Sequence, residues 1–385
     1  MNRIRETAIV GIGQTEFSKN SGRSELQLAA EASLAAIRDA GLEPADIDGM
    51  VTFTQDMNDE LALMRCLGVE DLSWTARTPF GGGGASATVE LAAAAVASGA
   101  ARHVLVYRAF NERSGNRFGQ PGDAAAYQRM TAGPDFHFTY GLDTPAKIYA
   151  LWYQRYMRKY NVSSEDLGRY VVVARKHAAT NPAAWFHGRP ITLADHQASR
   201  WIVEPTLRLL DCCQESDGGV ALVVSSAERA KDLRQPLVRV RAATQAQLRN
   251  GDIMFDYYHE HDLAQFAEAR RMSERLWAQS GLAPTDIDVA MIYENFSPVV
   301  FLALEAHGFC GPGEAKDFIR DGHIELDGSL PLNTHGGLLG EGYIHGVNNI
   351  LEGVRQLRGT AANQVRDAQH VLVSAARSGM ILSRD

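Results

Sequence analysis

Unbroken apolar runs such as Thr7-Ala-Ile-Val-Gly11, Val104-Leu-Val106 and Val220-Ala-Leu-Val-Val224 punctuate this chain. A strand with one wet face would alternate apolar and polar residues, so these runs predict strands covered by helices on both sides. Between them lie Ala/Leu-patterned stretches at helical spacing, from Glu25 to Asp39 and from Leu263 to Ser280. Each ends on a glycine just past the helix, where a left-handed backbone costs glycine least. The segments beyond these glycines repeat one another. Gly41-Leu-Glu-Pro-Ala-Asp-Ile-Asp-Gly-Met-Val-Thr-Phe53 parallels Gly281-Leu-Ala-Pro-Thr-Asp-Ile-Asp-Val-Ala-Met-Ile-Tyr293, and His103-Val-Leu-Val106 parallels His370-Val-Leu-Val373. The second pair comes after a glycine-rich turn and a predicted helix in both places, Gly81 to Ser98 and Gly336 to Leu357. Two matches in the same order predict an α/β chain of two similar βαβ-type halves.

About 100 residues of different texture interrupt this order before Asp211. They hold the aromatic helix Lys147-Ile-Tyr-Ala-Leu-Trp-Tyr-Gln-Arg-Tyr156, the stretch Asn181-Pro-Ala-Ala-Trp-Phe-His-Gly188, and a Gly-, Asn- and Arg-rich segment from Asn111 to Pro145 that reads as a long loop. The predicted organisation is 1–111 as the first half, 112–210 as an inserted loop lobe over the site or at a subunit interface, 211–250 as completion of the first half, and 251–385 as the second. The aromatic spacing on the inserted helix favours core packing over a ligand stripe.

Composition narrows the function classes. A chain of 385 residues, 45% hydrophobic with a net charge of −8, fits a globular enzyme and not a nucleic-acid binder. No apolar stretch reaches the roughly 20 residues of a membrane helix, and the first residues enter a strand too early for a signal peptide. A cytoplasmic protein is expected. The four cysteines, Cys66, Cys212, Cys213 and Cys310, have neither zinc spacing nor a paired framework. His259 and His261 are the close-spaced histidines, in a polar segment that reads as loop surface, so no metal site is expected. Nothing resembles a dinucleotide or P-loop fingerprint.

Two motifs carry the candidate chemistry. Asn333-Thr-His-Gly-Gly-Leu-Leu-Gly-Glu-Gly-Tyr-Ile-His-Gly346 is a glycine-rich turn feeding a predicted helix, and Tyr293-Glu-Asn-Phe-Ser297 ends a predicted strand. Together with Ala8-Ile-Val-Gly-Ile-Gly-Gln-Thr-Glu-Phe17, Asn181-Pro-Ala183 and Asp211-Cys-Cys-Gln-Glu-Ser-Asp-Gly-Gly-Val-Ala221, they resemble the thiolase superfamily, in its sterol-carrier and lipid-transfer branch. The narrower likeness is to bacterial aldolases that cleave steroid side chains. The resemblance implies a five-layered αβαβα fold, a homodimer, an acyl-CoA substrate with coenzyme A as part of it, no covalently bound cofactor, and a heteromeric partner carrying a zinc-ribbon/OB-fold domain.

The departures from that family matter most. Thiolases have a catalytic His where Tyr343 stands, and an Asn or His where Tyr293 stands. Their nucleophilic cysteine would fall on Gly82 or Gly83, and Arg377-Ser-Gly-Met380 takes the place of their second cysteine. Ser86 lacks the surroundings of a nucleophile elbow and reads as a helix cap. Acyl transfer through a thiol is therefore excluded. Consecutive glycines at a helix start present backbone N–H groups with no side chain in the way, suited to a thioester enolate oxygen. The expected site has Tyr293 and Tyr343 as acid and base. Tyr343 is first choice for the base, from its place at a helix start. Gly82, Gly83, Gly84, Asn295, Asn333, Gly336, Gly337 and His345 are expected along the substrate and oxyanion loop. Such a set suits retro-aldol cleavage of a β-hydroxyacyl-CoA, which the resemblance specifies as a steroid ester giving a ring ketone and propionyl-CoA. Decarboxylative or hydratase-type enolate chemistry fits the same groups, and a non-catalytic acyl-CoA or sterol-binding subunit is the other reading.

Overall fold

A computed structural model describes residues 3–79, 81–115, 117–119, 139–249 and 262–384. Its first half runs β1 (Thr7–Gln14), α1 (Glu25–Ala40), β2 (Gly49–Phe53), α2 (Glu60–Leu67), β3 (Trp74–Thr78), α3 (Ala85–Ser98) and β4 (His103–Asn111). The inserted segment contributes α4 (Pro145–Tyr160), α5 (Ser164–Thr180), α6 (Leu193–Ala198) and the hairpin of β5 (Trp201–Val203) and β6 (Leu207–Arg208). Next come β7 (Asp217–Ser226), α7 (Ala227–Ala230), β8 (Val238–Gln245), α8 (Ala267–Ser280), β9 (Val289–Ile292), α9 (Pro298–His307) and α10 (Ala315–Arg320). The chain closes with α11 (Gly337–Gly340), α12 (Val347–Arg358), β10 (His370–Ser374) and β11 (Ser378–Ser383).

The sheet order is β3-β2-β4-β7-β1-β8-β11-β10-β9. Its two wings mirror one another about the β1–β8 pair, with β2 parallel to β4 and β9 parallel to β10. A parallel bridge from Leu332 to Ala290 stands where the second wing would carry its counterpart of β3. Helices α3 and α12 touch strands of both wings, α1 covers β1, β4 and β7 from outside, and α8 covers β8 and β11. The layers are therefore helix, sheet, helix, sheet, helix.

The repeated Asp-Ile-Asp has a physical explanation. Asp46 accepts the Glu43 N–H at 2.9 Å and Asp286 accepts the Ala283 N–H at 2.8 Å, each closing a one-turn helix that starts on proline. Asp48 then accepts the N–H groups of Arg102 and His103, and Asp288 those of Gln369 and His370, all at 2.8 Å. Each second aspartate thus clamps the entry of the neighbouring parallel strand, β4 or β10, satisfying donors a strand end leaves open.

The expected helix from Gly336 to Leu357 is two pieces. Positive φ at His345 (50°) and Gly346 (76°) breaks it, so α12 begins only at Val347. The inserted helix α4 buries Trp152, Tyr153 and Tyr156 against Phe266, Phe296 and Phe301 of the second half, so its aromatics are core. Most of the loop expected from 111 to 145, and the His259/His261 segment, lie outside the described residues.

Candidate active site

The C-terminal ends of β2, β4 and β9 converge on the starts of α3 and of the loop before α12, the end of an α/β sheet where ligand sites form. Tyr293 directly follows β9, and its ring lies in the space a side chain at position 82 would need. A Cβ on Gly82 would overlap Cε2, Cζ and the hydroxyl of Tyr293. At the adjoining carbon of the ring, a Cβ on Gly346 would come to 2.8 Å from Cδ2. The phenol is gripped between the two glycine turns, one from each half. Its hydroxyl is 3.0 Å from that of Tyr343, and both tyrosines are 7% exposed.

The absence of a side chain at position 82 leaves no open space, because the Tyr293 ring fills it. One expectation is corrected. Tyr343 is not at a helix start: it precedes α12 by residues 344–346, so no helix end favours its phenolate. Burial raises both phenols well above the ordinary tyrosine value. The two hydroxyls therefore meet as neutral groups.

The four-glycine turn forms a single 3-10 turn, Gly82–Gly84, leading into α3. The N–H groups of Gly82 and Gly83 have no hydrogen-bond partner among the described residues, and a Cβ on Gly83 would meet open space. Ser378, in the stretch Arg377-Ser-Gly-Met380, donates its hydroxyl to the Gly83 carbonyl at 2.9 Å and holds the turn. Ser86 is buried, with its hydroxyl on the Val373 carbonyl at 3.3 Å, which leaves it no role as nucleophile.

His345 lies beside the same turn. Its Nδ1 accepts from Arg108 Nε at 3.1 Å, and Arg108 pairs with buried Asp56 at 2.7 Å. Burial first, and then the Arg108 charge, push the imidazole well below its usual range. A neutral ring accepting at Nδ1 carries its proton on Nε2, the atom a Cβ on Gly81 would meet at 2.9 Å. Phe118 stacks on this ring at 5.6 Å and the Tyr343 ring meets it edge-on at 5.3 Å. A lone arginine within the apolar strand His103–Phe110 was the signal for this chain of partners, since a buried charge demands one.

Other expected loop residues are placed as scaffold. The Asn333 side chain exchanges two hydrogen bonds with the Ile292 backbone, at 2.8 and 2.9 Å, and gives a third to the Tyr170 hydroxyl. Both of its N–H donors are spent, and the side chain is fully buried. A Cβ on Gly337 would collide with Glu294, whose carboxyl takes the Leu338 N–H at 2.7 Å, and Gly336 lies tight against Ala178 of α5. Asn295 is half-buried, and its carbonyl accepts from Cys213 at 2.9 Å. Gly84 sits against Thr78 and Pro79 at the end of the turn.

Two groups that the sequence reading did not assign to the site, Cys213 and Glu112, act on the tyrosines, and Lys19 acts on Glu112. Cys213 is within electrostatic reach of both, but burial pushes its thiol well up, so no thiolate forms. Lys19, lowered to about 8 by burial, donates to Gln214 and to the Glu215 carbonyl. Glu112, the residue after β4, is 3% exposed. An acidic residue just past the C-terminal end of a central strand was the signal for it.

Comparison with known proteins shows the family of the chain. The family pattern for a thiolase C-terminal domain-like region matches residues 254–384. The chain is 54% identical over 383 residues to the 17-hydroxy-3-oxo-4-pregnene-20-carboxyl-CoA lyase of Mycobacterium tuberculosis, covering 98% of this chain and 99% of the relative. It is 54% identical to the steroid side-chain-cleaving aldolase of Thermomonospora curvata, covering 98% of each. The solved Ltp2-ChsH2(DUF35) aldolase superposes with a TM-score of 0.92 over 98% of both chains, at 54% identity. Solved thiolases at 16% identity share the fold alone, with TM-scores of 0.67 and 0.70. No helix among the described residues is long and apolar enough to cross a membrane.

Proposed function

The chain belongs to the thiolase superfamily, in the branch of steroid side-chain-cleaving acyl-CoA aldolases, and from that membership we propose how its site performs a carbon–carbon lyase reaction. The substrate is 17-hydroxy-3-oxo-4-pregnene-20-carboxyl-CoA or a near relative, a thioester with a tertiary hydroxyl on the β-carbon. The hydroxyl proton passes to Tyr343 as Tyr343 hands its own phenolic proton to Tyr293 along the bond between them and Tyr293 hands its proton on; the oxygen's electrons form the ring ketone, and the Cα–Cβ bond breaks toward the thioester. The resulting enolate oxygen rests on the free N–H groups of Gly82 and Gly83, with His345 Nε2–H beside them. The proton that Tyr293 hands on goes to the enolate carbon, giving propionyl-CoA. No covalent intermediate is needed, and coenzyme A enters only as part of the substrate.

The observation that carries this reading is the buried hydroxyl pair, 3.0 Å apart, set against a turn in which the Gly82 and Gly83 N–H groups have no partner among the described residues. A non-catalytic binding subunit has no need of two mutually bonded phenols at the point where both glycine turns meet. The assembly we propose is a homodimer that also binds a zinc-ribbon/OB-fold partner. The naming of a second component in the solved Ltp2-ChsH2(DUF35) aldolase supports this. The test is incubation with the 17-hydroxy ester, with and without such a partner, and mass spectrometry of the products. Equimolar ring ketone and propionyl-CoA are expected. Intact substrate under both conditions, with CoA ester binding preserved, would reduce the chain to a binding subunit.

A further inference from the structure

Strand β4 carries a single arginine among apolar neighbours, and its bonds lead out of the first half of the chain. Arg108 is 2% exposed. Its Nη1 donates to Asp56 at 2.7 Å, and its Nε donates to His345 Nδ1 at 3.1 Å. Asp56 is buried and fixed in turn: it accepts the Asn58 N–H and side-chain amide at 2.8 Å each, and the Ala109 N–H at 3.2 Å. The rings of Phe53 and Phe110 lie 5.8 and 4.3 Å from the guanidinium carbon.

Stability does not account for this arrangement. Taking an ion pair out of water costs about as much as the pairing returns, and well-packed apolar replacements are often no worse. The shared architecture does not call for it either, since counting from the matched His103 and His370 puts Ala375 at this place in the second half. What the arrangement does fix is His345. A guanidinium has donors and no acceptor, so Nδ1 must be the bare nitrogen and the ring proton must sit on Nε2. Nε2 has no hydrogen-bond partner among the described residues, and a Cβ on Gly81 would come to 2.9 Å from it. Its N–H therefore lies beside the turn whose Gly82 and Gly83 N–H groups are also unpartnered. His345 holds a left-handed backbone (φ 50°), a conformation that persists where surrounding contacts enforce it.

We propose that Arg108, braced by Asp56, is a positioning residue of the lyase site: it holds His345 as a neutral ring that donates only from Nε2, a third donor beside the Gly82 and Gly83 N–H groups for the enolate oxygen. Arg108 touches no reacting atom. Its charge stands one ring behind the oxygen on which negative charge develops, and a donor already in place needs no reorganisation as the enolate forms. No proton moves through the histidine, which gives a hydrogen bond and ends as it began.

The surroundings of the ring suit a donor that must stay neutral. Among the described residues, the charged or titratable groups facing it are Arg108 from β4 and Tyr343 from its own loop, edge-on at 5.3 Å. Phe53, Phe110 and Phe118 stand around the rest, with ring centroids at 5.9, 5.1 and 5.6 Å. Burial first, and then the Arg108 charge, disfavour a second ring proton.

This inference rests on the lyase reading, and its test separates the two. The first measurement is the nitrogen-15 NMR spectrum of the histidine-labelled full chain from pH 5.5 to 9, with the His345 signals identified by their loss in His345→Phe. A bare Nδ1 and a protonated Nε2, unchanged over the whole range, are expected. A ring protonated at Nδ1, or one that titrates at about pH 6.5 as a free histidine does, overturns the proposal. The second measurement is turnover of the 17-hydroxy ester by Arg108→Gln, which keeps a donor for Asp56 and removes the one on Nδ1. Its kcat should fall roughly 10-fold or more with KM little changed, and its His345 signals should show mixed tautomers or a ring that now titrates. Wild-type kcat in Arg108→Gln overturns the proposal, and so does a slow variant whose His345 spectrum matches wild type, the mark of a purely structural role. If thermal melting shows that Arg108→Gln does not fold, the wild-type spectrum and His345→Phe decide instead, and wild-type turnover without the imidazole is the overturning result. A wild type that cleaves no ester sinks the lyase reading and the donor's role with it, whereas one that cleaves the ester with a freely titrating His345 sinks this inference alone.

Discussion

Gly82→Ala tests whether the Tyr293 ring depends on an absent side chain. The added methyl would overlap two ring carbons and the hydroxyl, and Gly346 already lies against the adjoining carbon Cδ2, so the ring is held on that edge by both turns. Forcing one carbon into a packed core of this kind costs roughly 1–3 kcal/mol. With an unfolding entropy of about 2.1 cal/mol/K per residue, that is about 1–4 °C in Tm for a chain of 385 residues melting as one unit. The effect on turnover should be larger in proportion. A ring pushed by about 1 Å misaligns the hydroxyl pair, and displacements of that size cost on the order of 10²-fold. Calorimetry and ketone release read the two effects, and a Tyr293→Ala background identifies the cause. With the ring gone, the methyl should be tolerated, giving a coupling of roughly 1–3 kcal/mol between the two positions. A Gly82→Ala protein that melts and turns over like wild type refutes the reasoning, as does an equal cost in both backgrounds.

Tyr343→Phe and Tyr293→Phe should each keep the fold and lower turnover by roughly 10²–10⁴-fold, measured as ketone release; wild-type rates in both would make the tyrosines packing residues. Native iodoacetamide should label exposed Cys66, on α2, before half-buried Cys213, whose thiol is held protonated, and leave turnover intact. Complete inactivation that substrate prevents, with the label on Cys213 by peptide mapping, would place a thiol in the chemistry. Burial raises the Glu294 carboxyl from 4.5 to about 8, so between those values the folded chain holds a proton that the unfolded chain has released. Stability should therefore fall as pH rises through that window, with Glu341, raised to about 7 by burial, adding to the same trend. Glu294→Gln keeps an acceptor for the Leu338 N–H and should flatten the decline in Tm from pH 5 to 8; a curve parallel to wild type would contradict the assignment.

The halves were legible in the sequence because their most repeated residues have local duties. Asp46 and Asp286 close a turn a few residues past a helix end, and such short-range requirements leave fixed spacing behind. The tyrosines were legible because they stand inside recognisable motifs. Contacts made across the fold left no such trace. That Tyr293 occupies the space at Gly82 links positions more than 200 apart, and nothing in either neighbourhood encodes it. The break before α12 falls partly on His345, whose left-handed backbone (φ 50°) the residue type does not announce. Glu112 fell in a stretch that reads as loop from its glycines and arginines, and only the sheet order puts it beside the site. Asn333 shows the opposite error: a polar residue in a catalytic motif spends its whole side chain on bracing β9.

The matched segments end differently, on Phe53 and on Tyr293, and each crosses to the opposite half. The Phe53 ring lies 5.9 Å from that of His345 in the second glycine loop, while Tyr293 lies against Gly82 in the first. The molecule therefore contains its own control experiment. Where the two copies still agree, as in the aspartates that clamp β4 and β10, the position serves architecture that both copies must keep. Where they have parted company at equivalent places, selection has worked on one copy without the other. A duplicated chain can thus be read against itself, and here that reading singles out one phenolic oxygen, present on Tyr293 and missing from Phe53, as an early mark of the change from scaffold to chemistry.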